Sequence, residues 1–272
     1  MANCNHDCEN CFQKGSCSDE IVKSKTNDAS NVKRVIGVLS GKGGVGKSFI
    51  TSAIASYLSR SGLSVGILDA DITGPSIPKA FGIKEKAYGE DKLIFPCESV
   101  GGIRVMSANL LLDDETDPIV WRGPLVGNLV KQFFEDVAWG DLDVLLIDMP
   151  PGTGDVALTI FQSLPVDDLI IVTSPQDLVS LIVSKAIKMA DLMNIHVLGV
   201  IENMSYLVCP KCAEKIPLFG ESHLEEFAKQ MNFEILAKLP LNSENTKLMD
   251  QGEIEKLVLP EIMPVINKIK GE

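Results

Sequence analysis

Five apolar residues, Val35-Ile36-Gly37-Val38-Leu39, run without a break into Ser40-Gly41-Lys42-Gly43-Gly44-Val45-Gly46-Lys47-Ser48, after which Ile50, Ala53, Ile54, Tyr57 and Leu58 recur at helical spacing. The continuous run reads as a strand buried on both faces, and the spaced set as one face of an amphipathic helix. The loop between them satisfies G-x-x-x-x-G-K-[ST] with Gly41, Gly46, Lys47 and Ser48 in the required places. Glycine permits positive φ and close backbone approach, so successive N–H groups can surround a phosphate. The helix that follows points its positive end at the same anion. Lys47 is placed to neutralise β- and γ-phosphates, and the Ser48 hydroxyl to ligate Mg²⁺. Residues 41–48 are thus a candidate cradle for a nucleotide such as ATP, with Gly43, Gly44 and Val45 contributing backbone.

Further apolar runs follow at 65–68, 103–106, 144–147, 169–172, 197–201 and 235–239, each too continuous for a half-exposed strand. Stretches of helical period lie between most of them, one face being marked by Leu125, Leu129, Phe133 and Val137. Buried strands alternating with helices predict an α/β fold, a doubly wound and mostly parallel sheet covered on both faces. Ligands of such sheets bind beyond the carboxyl ends of the strands. Asp69 and Asp71 end one run and Asp148 ends another, so all three fall there. Asp148 is placed to hold Mg²⁺ through water, and Asp69 equally suits a structural hydrogen-bond acceptor. Glycines 74, 152 and 154 suit loops that move with the γ-phosphate.

The cysteines are unevenly spread. Of seven, Cys4, Cys8, Cys11 and Cys17 fall in the first 17 residues, Cys209 and Cys212 form a C-x-x-C pair, and Cys97 stands alone. No apolar signal segment precedes the first set and no run of 18 apolar residues occurs, so metal ligation and a cytoplasmic setting are expected rather than disulfides. Residues 1–17 read as a cysteine-rich metal-binding segment, 18–33 as a flexible linker of Ser, Asn, Asp and Lys, and 34–272 as the ATPase domain. The four N-terminal thiols can serve a 4Fe–4S cluster, a zinc ion or a metal-capturing tail, with His6 a substitute for Cys4. Cys209 and Cys212 supply only two ligands where a 4Fe–4S cluster or tetrahedral zinc wants four. Two copies of the chain would supply four thiolates on a dyad; a zinc knuckle and a redox dithiol are the other readings. Cys97 and His196 read as structural. A formal charge of −12 argues against nucleic acid or an anionic membrane as the main partner.

The early Lys42 makes G-K-G-G-V-G-K-S resemble the deviant Walker A loop of the superfamily that includes MinD/ParA proteins and nitrogenase iron protein. The segments GKGGVGKS, DADITGPS, WRGP at 121–124, IDMPPGTGD, ENMSYLVCPKC at 202–212 and LFGE at 218–221 together resemble the Mrp/ApbC family of iron–sulfur cluster carriers, over about residues 34–270. That resemblance implies a homodimeric ATPase that carries a 4Fe–4S cluster on Cys209 and Cys212 and passes it to apo-proteins, alongside cluster-assembly factors. It implies that Lys42 reaches the partner's nucleotide, that Asp71 positions the attacking water, and that Asn203 recognises adenine. The chain departs from the family at Leu239-Pro240-Leu241-Asn242, where I-P-L-D and an arginine are common, and at Ser222-His223-Leu224, which replaces a glycine-rich stretch. A MinD/ParA-type positioning ATPase would want a basic amphipathic C-terminal helix, which LPEIMPVINKIKGE matches weakly. A zinc-binding, nucleotide-dependent metallochaperone is the third reading.

Overall fold

The computed structural model describes residues 23–72, 74, 76–112, 123–175, 179–220 and 222–272. The chain begins with β1 (Ser30–Val32), β2 (Val35–Ser40), α1 (Lys47–Arg60), β3 (Val65–Asp69) and α2 (Ile77–Ala80). Next come β4 (Tyr88–Glu90), β5 (Leu93–Phe95), β6 (Cys97–Glu98), β7 (Arg104–Ser107), α3 (Gly123–Asp136), β8 (Gly140–Leu142) and β9 (Val144–Asp148). Then follow α4 (Asp155–Ser163), β10 (Asp168–Thr173), α5 (Val179–Leu192), β11 (His196–Val208) and β12 (Lys215–Ile216). The chain closes with α6 (Leu224–Met231), β13 (Ile235–Pro240), α7 (Ser243–Gln251) and α8 (Met263–Lys270).

Among the described residues, nine strands make one sheet in the order β12-β11-β10-β2-β9-β3-β7-β6, with β13 also on β11. Strands β7, β3, β9, β2, β10, β11 and β13 pair in parallel, and only the short β6 and β12 run against their neighbours. The expected apolar runs are these strands, and β2, β3, β9 and β10 are buried along their whole length. Parallel strands are shielded on both faces, which is why their sequences lack polar alternation. One core layer packs α1, α2 and α8 through Ile50, Ile54, Ile77, Val265 and Ile266; the other packs α3 to α6 through Val130, Phe133, Ile160, Val183 and Leu224. Because Val265, Ile266 and Ile269 are buried in the domain, the apolar face of α8 is already covered.

Two expectations change. The face of α3 is rotated: Leu125 is exposed, while Val126, Val130, Phe133, Phe134 and Val137 are buried. Leu129 is only partly buried, so the true stripe follows i, i+4, i+7, i+8 from Val126. Residues 23–33, whose composition predicts a linker, are fastened to the domain. Strand β1 pairs with β8, and Ser24 N–H donates to the Ser163 carbonyl at 2.7 Å. The Asn27 amide donates to the Glu135 and Val137 carbonyls, each at 2.8 Å, and Lys23 Nζ reaches the carbonyls of Phe161 and Leu164. Polar side chains here cap the exposed ends of α3 and α4, a use that polar composition alone does not distinguish from a solvated linker. The proposed boundaries at 17 and 18 lie outside the described residues.

Asn27→Ala removes two side-chain donors and the acceptor for the Ala29 N–H. It should lower stability by about 1–3 kcal/mol in urea denaturation, against no more than about 0.5 kcal/mol for the exposed Lys25→Ala. Equal midpoints for the two variants would return residues 23–33 to a linker role.

Candidate functional site

The loop joining β2 to α1 lies at the carboxyl end of the central strand, where β9 on one side and β10 on the other leave their own ends beside it. Gly44 and Gly46 have φ of 80° and 83°, which an L side chain rarely adopts. Gly46 is also closely approached, since a Cβ there would lie 2.3 Å from Asn203 Nδ2. Gly46 caps α1 with no side-chain hydrogen bond to the first turn. The N-terminal N–H groups of α1 therefore face an anion site undisturbed by a capping carboxylate or hydroxyl.

Asp69 and Asp148 are register partners at the ends of adjacent strands. Asp148 is fully buried and collects three donors: Lys47 Nζ at 2.8 Å, Ser48 Oγ at 2.6 Å and Thr51 Oγ1 at 2.7 Å. Lys47 Nζ also lies 3.5 Å from Asp71 Oδ2. Two carboxylates compensate the buried ammonium. Asp69 accepts from Ser107 Oγ and from the Asp71 N–H, each at 3.2 Å. Burial foremost, then the neighbouring Asp148 charge, push the Asp69 carboxyl up to about 8, and Lys47 opposes them only in part. Two carboxyls side by side thus divide their roles: Asp148 is held by cationic and hydroxyl donors, while Asp69 keeps a proton at neutral pH.

Ser48 and Asp148 offer a hydroxyl and a carboxylate oxygen 2.6 Å apart at the phosphate end of the site, an all-oxygen set that fits Mg²⁺. Among the described residues no three His, Cys, Asp or Glu side chains converge as a metal cage.

Thr51 is a site residue that the loop motif does not reveal. It is fully buried and holds the second oxygen of Asp148. Its one signal in the sequence is its place one turn beyond Lys47, and the buried Ser52 and Ser56 of the same helix make a hydroxyl there undistinctive. Lys42, Gly43 and Gly44 lie on the outer rim of the loop, Lys42 partly exposed and the two glycines fully so. The loop after β9 is tied to the start of the phosphate loop, because Gly152 N–H donates to the Ser40 carbonyl at 2.7 Å.

Asn203, on β11, donates from Nδ2 to the Val45 carbonyl at 2.9 Å and so braces the loop from outside. It also lines a cavity of about 280 Å³ with Gly46, Phe49, Met204, Asn242 and Met249. This cavity adjoins the phosphate loop and has apolar walls with amide edges, the mixture that suits a planar base. Asn242, the departure from the family pattern, caps α7 by accepting from the Glu244 N–H.

Beyond Asn203, β11 continues for five residues and delivers Cys209 just past its end, on the same edge of the sheet as the nucleotide loop. The pair sits in a hairpin where Leu207 and Val208 pair with Ile216 and Lys215. Cys209 N–H donates to the Glu214 carbonyl, and Ala213 N–H to the Cys209 carbonyl, each at 2.9 Å. Ala213 takes φ 59° to close the turn. The N–H groups of Lys211, then Cys212, and the Cys212 side chain hold the Cys209 thiol below its ordinary value. A turn that presents N–H groups to sulfur stabilises thiolate, the ligand form. Cys209 and Cys212 are not joined in a disulfide, and Val208, Ile216, Leu218 and Phe219 expose apolar surface around them. Cys97 is a buried thiol away from both sites, and His196 Nδ1 pairs with Asp168 at 2.7 Å as a structural contact. Cys4, Cys8, Cys11, Cys17, Thr73, Trp121 and Arg122 lie outside the described residues.

A doubly wound parallel sheet with this loop, its lysine and its strand-end carboxylates defines a P-loop NTPase. The chain belongs to the family described as ParA, the NUBPL iron-transfer P-loop NTPases, matched over residues 31–269. An iron-sulfur cluster carrier protein of Clostridium perfringens is 44% identical over 259 residues, covering 92% of this chain and 91% of the relative. A nucleotide-binding protein of Archaeoglobus fulgidus in complex with ADP superposes with TM-score 0.77 at 41% identity, covering 85% of this chain and 91% of the other. The cell division ATPase MinD of Pyrococcus furiosus shares the fold at TM-score 0.64 and 18% identity, over 88% of this chain and 99% of its own. Among the described residues no helix is long and apolar enough to cross a membrane.

Thr51→Val keeps the shape but strips a hydroxyl from a buried carboxylate. It should weaken nucleotide binding about tenfold in fluorescent-nucleotide titration and lower stability by about 1–3 kcal/mol, with Thr51→Ser restoring both. Wild-type affinity and stability in the valine variant would show that Thr51 does not set Asp148.

Proposed function

We propose that this chain is a homodimeric ATPase that binds a 4Fe–4S cluster as cargo between two copies and passes it to apo-proteins. The observation that carries the reading is the placement of Cys209 and Cys212 in the turn just past the end of the strand that braces the phosphate loop through Asn203. One copy offers two thiols, so a cubane needs a second copy, and the exposed Val208, Ile216, Leu218 and Phe219 supply apolar surface for that meeting. The iron-sulfur cluster carrier name of the Clostridium perfringens relative, at 44% identity, supports the same cargo.

The nucleotide chemistry follows from the site. ATP enters with its phosphates over the loop 41–48 and its base in the cavity beside Asn203. Lys47 then exchanges its carboxylate partners for phosphate oxygens, which frees Asp148 and Asp71 for the site. Ser48 and Asp148 would hold Mg²⁺, which when bound neutralises charge on the β- and γ-phosphates. Asp71, half-released from Lys47, orients the attacking water, and Lys42 on the rim reaches the nucleotide of the other copy, so hydrolysis senses the dimer. A cluster held on the dyad is released when that interface shifts. Clients are apo iron–sulfur proteins, served with assembly factors in the cytoplasm, and the cysteines of residues 1–17 form a second, cis metal-binding set.

The test is anaerobic reconstitution of two chains in which Cys4, Cys8, Cys11 and Cys17 are all serine, one with the hairpin intact and one also carrying Cys209→Ser and Cys212→Ser. The first should show the visible iron–sulfur absorption and the second should lose it, while ATP affinity stays within about twofold because the hairpin is not part of the phosphate site. An identical cluster spectrum in both, or zinc without iron in the first, would overturn the assignment.

A further inference from the structure

We propose that Glu202 is a positioning residue that couples the nucleotide loop to the thiol hairpin by holding both feet of that hairpin; this rests on reading Cys209 and Cys212 as the cargo site. Glu202 is fully buried. Its carboxylate accepts from Ser205 Oγ at 2.5 Å and, through its other oxygen, from Ser222 Oγ. The hairpin leaves the sheet at Val208 and the chain returns by Ser222, just before α6. One carboxylate is therefore bonded to the strand before the excursion and to the loop after it. A carboxylate withdrawn from water is an expensive way to fill space, and its return here is the joining of two segments twenty residues apart in sequence to one point.

The residue next to Glu202 is Asn203, whose amide rests on the Val45 carbonyl of the phosphate loop. Then comes Met204, which borders the base cavity and has φ 57°, a left-handed conformation inside a strand. The pairing with β13 slips at this place: Glu202 faces Lys238 and Tyr206 faces Pro240, so four steps along β11 oppose two along β13. A bulge of this kind, holding a non-glycine residue in a sparsely populated region, keeps its shape only through its neighbours. Its neighbours are the nucleotide cavity on one side and the Glu202 clamp on the other. A nucleotide that shifts Asn203 and Met204 moves Ser205 along the same backbone, and Glu202 carries Ser222 with it. The hairpin then turns as a unit instead of flexing about one foot.

The experiment uses the full-length, reduced, metal-free protein and follows alkylation of Cys209 and Cys212 by N-ethylmaleimide with peptide-resolved mass spectrometry, with and without saturating magnesium ADP. In the wild type ADP should change the rate at these two thiols by at least about fivefold. Ser222→Ala should reduce that change below about twofold while ADP affinity, read with a fluorescent analogue, stays within the same margin. Ser222→Thr, which keeps the hydroxyl, should restore the response, and Ser205→Ala, which cuts the other foot, should also abolish it. A wild-type protein whose thiols ignore ADP, or a Ser222→Ala protein that responds as fully as wild type, would overturn the coupling. Since neither iron nor sulfide is present, this result is separate from whether the hairpin carries a cluster.

Discussion

The carboxylate of Asp148 is the interaction on which the site depends. It stands fully buried at the end of β9 and is satisfied by Lys47, Ser48 and Thr51, all from the first turns of α1. A buried charge stripped of one partner costs about 3–5 kcal/mol, so these contacts fix α1 against the central strands as well as preparing the site. The same geometry explains why the phosphate-binding lysine is not an exposed cation. Its charge is held by Asp148 and Asp71. Burial and the neighbouring Asp148 push the Asp69 carboxyl up to about 8, which favours its neutral form beside that charge.

From that hub the molecule reads outward along one strand. β11 passes Glu202, bonded to Ser205 and Ser222 at the two feet of the hairpin, then Asn203, which braces the phosphate loop, and ends at Val208, one residue before Cys209. Nucleotide and thiol chemistry are thereby separated by a few residues of a single backbone, not by a domain boundary. On one side this strand pairs with β10, with one register shift near Leu169, and on the other with β13, whose register slips between Glu202 and Tyr206.

Much of this was legible in the sequence, for physical reasons. The parallel strands announce themselves because burial on both faces demands unbroken apolar runs, as in 144–147 and 169–172. The phosphate loop is legible because its left-handed positions at Gly44 and Gly46 favour glycine, and Asn203 leaves no room for a Cβ at Gly46. Other features are set by contacts distant in sequence. Thr51 matters only because β9 places Asp148 opposite it, and Glu202 only because Ser222 folds back to it. The strand at Ser30–Val32 is polar enough to read as a linker, since its partner β8 lies more than a hundred residues on. In the α3 stripe Phe133 and Val137 are buried as their spacing predicts, but Leu125 is exposed and Val126 buried, because the two are equally apolar and only packing decides which faces the sheet.

The central claim is that two copies of the hairpin share one cluster. Its most direct measurement is the iron, sulfide and zinc content of the anaerobically reconstituted chain with Cys4, Cys8, Cys11 and Cys17 replaced by serine, taken together with its mass by sedimentation. The account predicts a dimer containing about four irons and four sulfides per two chains and no zinc. A monomer that keeps its iron, or one zinc ion held by each chain, would contradict it.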